Sequence, residues 1–454
     1  MSNKRDFIII GGGPGGIVTA HVIKFMTQMM GKQLSVLIIK DEEKLVNRCA
    51  IPYGMGEKIP ADDFLIPLEM FTSAAELKID TVTKILPEES KVVTKSGEEF
   101  EYTNLLIATG ASPFVPPIDL IDSKNILKVR DYENFEKMRE LTKNAEKKKV
   151  VVIGGGYIGI EMACGYADIG FDVTVVEMLS HVMQITTDSE FTEIIEKELT
   201  DHKINLKLGQ KLTGFVKSEK NPDYVSHVIL DSGEKIEADI VVLSIGVRPN
   251  TKLAADCGIE VSKFGIVTNE HLQTKYPNIY AVGDATQKKS LITQKPTVCQ
   301  FGTTAIFMGK VVANNILGIK KECKGVINSY CTKIFDWGIG GAGVSEEQAK
   351  AEGFDYVVGF SKVEDKYPML NPSPLITKLV FNKKDMKLIG GCSMKKGDSA
   401  AHLSDWFSLG MQKGITLEDV IDFQYSTHPE LNSKPSFNMY VAAAQDAWMK
   451  LQKK

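Results

Sequence analysis

The stretch Phe7-Ile8-Ile9-Ile10-Gly11-Gly12-Gly13-Pro14-Gly15-Gly16 decides how the rest of the chain is read. Four consecutive apolar residues are the pattern of a strand buried on both faces of a parallel sheet. Gly11, Gly13 and Gly16 then fit G-x-G-x-x-G, and a helix is expected over 17–30. Glycine permits the tight turn, lets backbone approach a pyrophosphate and packs helix on strand, so that the helix N-terminus faces the phosphates of a dinucleotide. The next strand, 34–39, should end in an acid that holds the adenosine ribose. It ends in Lys40-Asp41, so the ribose contact falls to Asp41, one residue late, or to Lys40.

The pattern occurs twice. Val150-Val151-Val152-Ile153 runs into Gly154-Gly155-Gly156-Tyr157-Ile158-Gly159, a helix is expected through Glu161 to about Ile169, and the strand 173–176 is followed by Glu177. That acid, 18 residues after Gly159, is placed to take both ribose hydroxyls and to repel a 2′-phosphate, which predicts NADH over NADPH. One chain binding two dinucleotides points to electron transfer between them.

Between the two units lies Lys44-Leu45-Val46-Asn47-Arg48-Cys49-Ala50-Ile51-Pro52-Tyr53-Gly54-Met55-Gly56. A lone cysteine is commonly a small buried hydrophobe. Here it closely follows the second strand of the first unit, where a thiol sits near a bound cofactor. A neighbouring cation lowers a thiol pKa, and Arg48 supplies one. Residues 60–80 read as helical and 81–104 as a β-meander with a turn at Ser96-Gly97. Then Leu105-Leu106-Ile107-Ala108-Thr109-Gly110 reads as a buried strand, followed by a proline-rich crossover at Pro113, Pro116 and Pro117. Past the second unit, the strand and turn over 240–250 are expected to return the chain to the first domain. Asn278-Ile279-Tyr280-Ala281-Val282-Gly283-Asp284-Ala285 is a further strand whose Asp284 is either a ligand contact at a strand's C-terminal end or the N-cap of a helix after Thr303. From about 325 the texture is α+β, with strands alternating over 375–381 and 388–392 and helices over 398–413 and 437–451.

At 454 residues, with 43% hydrophobic and 25% charged residues, the chain is expected to form two or three globular domains. A net charge of −4 gives no global attraction to nucleic acid or anionic membrane. The seven cysteines lack C-x-x-C or zinc-like spacing, which argues for a reducing compartment and against a metal site. Asp6 and the glycine cluster make the N-terminal apolar run a strand and turn and not a signal peptide. No apolar run has the length of a membrane span, and the protein is expected to be cytoplasmic.

The ordered set GGGPGG, ATG, GGGYIGIEMA, IGVRPN and YAVGDA resembles the two-dinucleotide flavoprotein disulfide reductases (the FAD-dependent pyridine nucleotide-disulfide oxidoreductases) over about 7–318, and the last domain is similar to their dimerisation domain. The resemblance implies an α/β fold of two Rossmann-like dinucleotide-binding domains plus a C-terminal α+β dimerisation domain. The expected division is 1–112 with 245–322 for FAD, 113–244 for NAD(H) and 323–454 for dimerisation. It places Gly11, Gly13, Pro14, Gly15, Gly16, Lys40, Asp41, Val82, Ala108, Thr109, Gly110, Gly283 and Asp284 along FAD, and Gly154, Gly156, Tyr157, Ile158, Gly159, Glu177 and Gly246 along NADH. Cys49-Ala-Ile-Pro-Tyr resembles the single-cysteine C-x-x-P-Y branch, typified by coenzyme A disulfide reductases and NADH polysulfide or persulfide reductases. Tyr367 and Tyr425 fall where that branch has tyrosines contributed by the partner subunit of a homodimer. His428-Pro429 resembles the His-Pro of the two-cysteine branch, where the histidine relays protons, with Ser433 in place of the orienting acid. His21 and Lys24 on the first helix are the basic residues available to a coenzyme A substrate.

The function expected is electron transfer from NADH through flavin and Cys49 to a disulfide, polysulfide or persulfide such as coenzyme A disulfide. Two rival expectations are an NADH oxidase reducing dioxygen and a flavoprotein electron-transfer or redox-sensing subunit. The oxidases and peroxidases of this branch carry a histidine in the first glycine turn, where this chain has only Gly and Pro.

Overall fold

The structure, a computed structural model, describes residues 3–55, 59–397 and 401–453; Gly56 and the start of the helix expected over 398–413 lie outside the described residues. The chain divides into two compact units, one of Met1–Phe114, Arg130–Glu136 and Gly246–Val326, the other of Val115–Val129, Lys137–Ile245 and Ile327–Lys454.

The first unit is organised by a parallel sheet in the order Glu76–Ile79, Val36–Lys40, Lys4–Ile10, Glu99–Ile107 and Ile279–Ala281. The apolar run explains its layers. Phe7 and Ile9 face a core shared with Ile17, Ala20 and Ile23 of helix Pro14–Met29 and Met308, Val311 and Val312 of helix Gly302–Ile316. Ile8 and Ile10 face the opposite core, with Val82, Ile85, Val92 and Phe100 of an antiparallel meander. Both faces are covered, so the strand is apolar throughout, and each such buried side chain contributes about 1.5–3 kcal/mol.

Two expectations are corrected in this unit. The strand Glu99–Ile107 is one element, antiparallel to the meander at its start and parallel to Lys4–Ile10 beyond, where two were expected. Of the helix expected over 60–80 there is only the 3-10 turn Ala61–Phe64 and the single α-turn Glu69–Thr72, followed by the parallel strand Glu76–Ile79. Pro60 and Pro67 break the helix, and the backbone of 64–66 pairs instead with 45–47 through Asn47 N–H to Phe64 O and Ile66 N–H to Leu45 O.

The second unit carries a five-stranded parallel sheet in the order Asn205–Leu208, Asp172–Glu177, Lys149–Ile153, Ile240–Leu243, Ile126–Lys128. The strand Ile240–Leu243 therefore completes this sheet, and the chain re-enters the first unit only at Gly246. A fully apolar run does not specify which sheet it joins. A separate five-stranded antiparallel sheet, Tyr330–Ile334, Trp337–Gly343, Leu388–Lys396, Pro374–Asn382, Tyr356–Glu364, packs with helices Ala401–Lys413 and Met439–Gln452. Its strands Pro374–Asn382 and Leu388–Lys396 are buried on both faces, where alternation was expected. Among the described residues no helix is long and apolar enough to cross a membrane.

Candidate active site

The two glycine turns are built alike. Gly11 (φ +113°) and Gly154 (φ +107°) hold left-handed backbone, and a Cβ on either would stand 2.3 Å from the carbonyl oxygen of Ala108 or Ser244. A Cβ on Gly16 would lie 2.4 Å from Gly11 O, and one on Gly159 1.9 Å from Gly154 O, so helix and turn touch backbone to backbone. Gly13 and Gly156, the N-cap residues of their helices, would meet nothing within 4 Å and receive no side-chain cap. Each turn thus ends in an open helix N-terminus with unclaimed N–H groups, the arrangement that takes a pyrophosphate. Both turns fit a dinucleotide.

They differ at the end of the second strand. Glu177 accepts from Gly155 N–H at 2.6 Å and from Leu179 N–H at 2.8 Å, so its carboxylate is fixed at the turn. The corresponding residue of the first unit, Lys40, is buried under Gly12, with its ammonium on the carbonyls of Glu42 and Glu43 and over the Phe71 ring. Burial lowers its pKa. Asp41 beside it is exposed.

Around the first turn, Val82 is buried at the start of the meander. Ala108 and Gly110 flank Thr109, whose hydroxyl donates to Asn250 O at 2.9 Å while Asn250 Nδ2 donates back to Thr109 O. Asp284 follows strand Ile279–Ala281 in a short 3-10 turn beside Gly283, whose carbonyl accepts from the buried ammonium of Lys288 at 2.5 Å. The helix Gly302–Ile316 is N-capped by Phe301, so the N-cap reading of Asp284 does not hold. Unpartnered Thr286 Oγ1 and Gln300 Nε2 are buried in the stretch between this turn and that helix. Arg130 was missed in the sequence: its guanidinium lies 3.2 Å from where a Gly110 Cβ would stand, within the field of Asp284, and burial together with Arg48 brings it down to about 10, still a cation at neutral pH. Gly246 is grouped with the first unit, and Tyr157 and Ile158 divide, Tyr157 packing 5.3 Å from the Tyr330 ring while Ile158 is exposed.

Cys49 is exposed on the 3-10 helix Arg48–Gly54. The remaining six thiols, Cys164, Cys257, Cys299, Cys323, Cys331 and Cys392, are all pushed up by burial, Cys164 and Cys392 to about 12. The expected activating cation is otherwise engaged: Arg48 pairs with Glu42 at 2.9 Å. His21 Nε2 donates to Met70 O at 2.7 Å, and Lys24 donates to Ser73 O, so both side chains close the short helix Glu69–Thr72. In the second unit, Tyr367 N–H donates to Pro429 O at 3.0 Å, which brings Tyr367 to the loop of His428. His428 Nδ1 accepts from Glu430 N–H at 3.3 Å. The Tyr425 hydroxyl is bonded to Pro435 O, and Ser433 is buried and donates to Glu364 O at 2.5 Å, away from His428.

Residues 5–308 match the pyridine nucleotide-disulphide oxidoreductase family, and residues 330–436 match that family's dimerisation domain. The chain belongs to this family. It is an oxidoreductase whose cofactors are FAD and a nicotinamide dinucleotide. An NADH oxidase of Methanocaldococcus jannaschii is 35% identical over 98% of this chain and 99% of its own length. An NAD(P)H coenzyme A polysulfide/persulfide reductase of Pyrococcus horikoshii is 31% identical over 80% of this chain and 81% of its own. Among solved structures, an NAD-dependent persulfide reductase from A. fulgidus superposes with a TM-score of 0.91 at 26% identity, covering 98% of this chain and 83% of that one.

Proposed function

We propose that the chain is a homodimeric, NADH-dependent flavoprotein that reduces a sulfur–sulfur bond at Cys49, with a disulfide, polysulfide or persulfide such as coenzyme A disulfide as acceptor. The observation that carries this reading is the exposed Cys49 thiol on the 3-10 helix that follows the second strand of the first dinucleotide fold; the six other thiols are raised by burial, including Cys331, which is also exposed but lies on a strand of the antiparallel sheet. The proposed domain division is 1–112 with 245–322, 113–244 and 323–454. The FAD pyrophosphate would lie on Gly11, Gly13, Pro14, Gly15 and Gly16, with Val82, Ala108, Thr109, Gly110, Gly283, Asp284 and Arg130 around the remainder and Asp41 at the adenosine ribose. NADH would lie on Gly154, Gly156, Ile158 and Gly159, with its ribose on Glu177. The bound flavin would supply the two-electron link between NADH and sulfur.

The protein's own part is thiol chemistry. The Cys49 thiolate attacks one sulfur of the acceptor RS–SR, forming Cys49–S–SR and releasing RS⁻. Two electrons and a proton then break the new bond, returning the thiolate and releasing RSH. A group that protonates the first RS⁻ makes it a better leaving group, and His428, exposed on its loop, is the proposed donor, with Tyr367 beside that loop. Tyr425 is proposed to shape this loop through Pro435. His21 and Lys24 are proposed near the acceptor only as parts of the wall that they close against Glu69–Thr72.

A second reading, NADH oxidase, is favoured by the 35%-identical relative of that name. The two separate on acceptor specificity. With NADH as the preferred donor, kcat/KM for coenzyme A disulfide or polysulfide under argon is expected to exceed that for dioxygen by at least about tenfold, a difference of about 1.4 kcal/mol in transition-state stabilisation. Faster oxygen consumption than turnover of every sulfur acceptor would replace this reading with the oxidase.

A further inference from the structure

The turn that carries Cys49 is held through the residue before it. Arg48 Nη2 lies 3.0 and 2.9 Å from the two carboxylate oxygens of Glu42, and Arg48 Nε donates to the Arg130 carbonyl at 3.0 Å. The guanidinium is anchored at two points, in the loop after strand Val36–Lys40 and in the segment Arg130–Glu136. That segment grips the neighbourhood at four further points. The Phe135 ring lies 5.1 Å from the Phe64 ring and against Gly54, where a Cβ would stand 2.5 Å from a ring carbon. Tyr132 donates to Asp62 at 3.1 Å, and its ring lies 4.6 Å beneath the Lys44 ammonium.

We propose that Arg48 is the positioning residue of the Cys49 thiol and not its activating cation. The inference rests on Cys49 being the nucleophile. Arg48 and Glu42 are each 28% exposed and meet at contact distance, so the charge of the arginine is already matched by a carboxylate. What the guanidinium contributes is direction. Its planar fork satisfies a carboxylate and a carbonyl at once, which the point charge of lysine does not reproduce. In-line attack on a sulfur–sulfur bond needs the thiolate at one place, and an error of about 1 Å costs on the order of 100-fold.

The test uses the FAD-bound protein and the variants Arg48→Lys, Arg48→Gln and Glu42→Gln. Two readouts are compared: the pH dependence of Cys49 alkylation by iodoacetamide, followed on the Cys49 peptide, and anaerobic NADH turnover with the sulfur acceptor. Arg48→Lys and Arg48→Gln are both expected to lower kcat by about 10- to 100-fold with KM for NADH unchanged. Their alkylation midpoints are expected to stay together with that of wild type. Glu42→Gln, which keeps the charge and removes its anchor, is expected to lose turnover as well. The proposal is overturned if Arg48→Lys behaves as wild type while Arg48→Gln raises the alkylation midpoint. It is equally overturned if Glu42→Gln lowers that midpoint and speeds turnover. A Cys49→Ser variant that kept turnover would defeat the sulfur-reductase reading itself, while the alkylation midpoints of the other variants would still report on Arg48.

Discussion

Cys49→Ser is expected to lower NADH-driven reduction of the sulfur acceptor by at least about 10²-fold while leaving the reduction of bound flavin by NADH unchanged. Serine nearly preserves the shape of the side chain, so the 3-10 helix Arg48–Gly54 and its neighbours are not disturbed. It removes the one property the chemistry requires, an ionisable soft nucleophile. The remaining six thiols are poorer nucleophiles near neutral pH, all raised above the ordinary value by burial, Cys331 among them although it too is exposed. Stopped-flow absorbance for the reductive half and steady-state turnover for the whole reaction separate the two effects. Equal turnover in the variant would make Cys49 a bystander.

The second large effect is on stability. Lys378→Ala is expected to destabilise the protein by about 3 kcal/mol, read as a fall in the denaturant or thermal midpoint. Lys378 is 3% exposed on strand Pro374–Asn382 and meets Asp188 at 3.3 Å, Glu190 at 2.8 Å and Glu346 at 2.6 Å. Asp188, itself only 6% exposed, also accepts from the N–H groups of Glu346 and Glu347. Removing the ammonium strands this carboxylate among like charges, whereas Glu190 and Glu346 reach solvent and relax. That exposure places the expected loss at the lower end of the range for broken buried pairs. Lys378→Met keeps the packing of the stem and isolates the charge.

The sign with pH follows from the same cluster. Burial, the largest single influence, would raise Glu190, but its hydrogen bond with Lys378, a backbone hydrogen bond and the charges of Lys378 and Lys450 together outweigh this and hold it below the usual range. Burial likewise opposes the Lys378 charge, yet the bonds to Glu190 and Glu346 and the charge of Asp188 hold it well above the ordinary lysine value. The lysine's contribution is complete below its unfolded pKa and is lost only in strong alkali. That of Glu190 is complete above about pH 4.5 and is lost as pH falls through its depressed folded value. The difference between wild type and Lys378→Met is therefore expected to be constant through neutrality and to shrink below about pH 4.5. An unchanged midpoint in both variants would show that the cluster does not hold the unit together.

Much of this molecule was legible because its strongest constraints are steric and local. The two G-x-G-x-x-G turns declare themselves, since only glycine tolerates backbone oxygens at 1.9–2.4 Å from a Cβ position. Glu177 and Cys49 stood out for the same reason, as chemistry-bearing residues at fixed offsets from those turns. What was not legible depends on partners distant in sequence. Arg130 lies more than eighty residues from Arg48 and Cys49, and only folding sets it beside Gly110. Lys40 looks like a failed ribose acid until its ammonium is seen on the carbonyls of Glu42 and Glu43. The strand Trp337–Gly343 hid in its glycines, and there too the glycine serves close packing: a Cβ on Gly341 would lie 2.6 Å from the Tyr330 hydroxyl. Arg48 was read as a lone cation because sequence adjacency to Cys49 is visible and its pairing with Glu42 is not.

The most direct measurement is mass spectrometry of the oxidised, NADH-free enzyme after anaerobic incubation with one equivalent of coenzyme A disulfide or polysulfide. The expected result is a substrate half, bound as a mixed disulfide or persulfide, on the Cys49 peptide and released by NADH. A Cys49 peptide that stays unmodified, or an adduct on a different cysteine while turnover proceeds, would contradict the account.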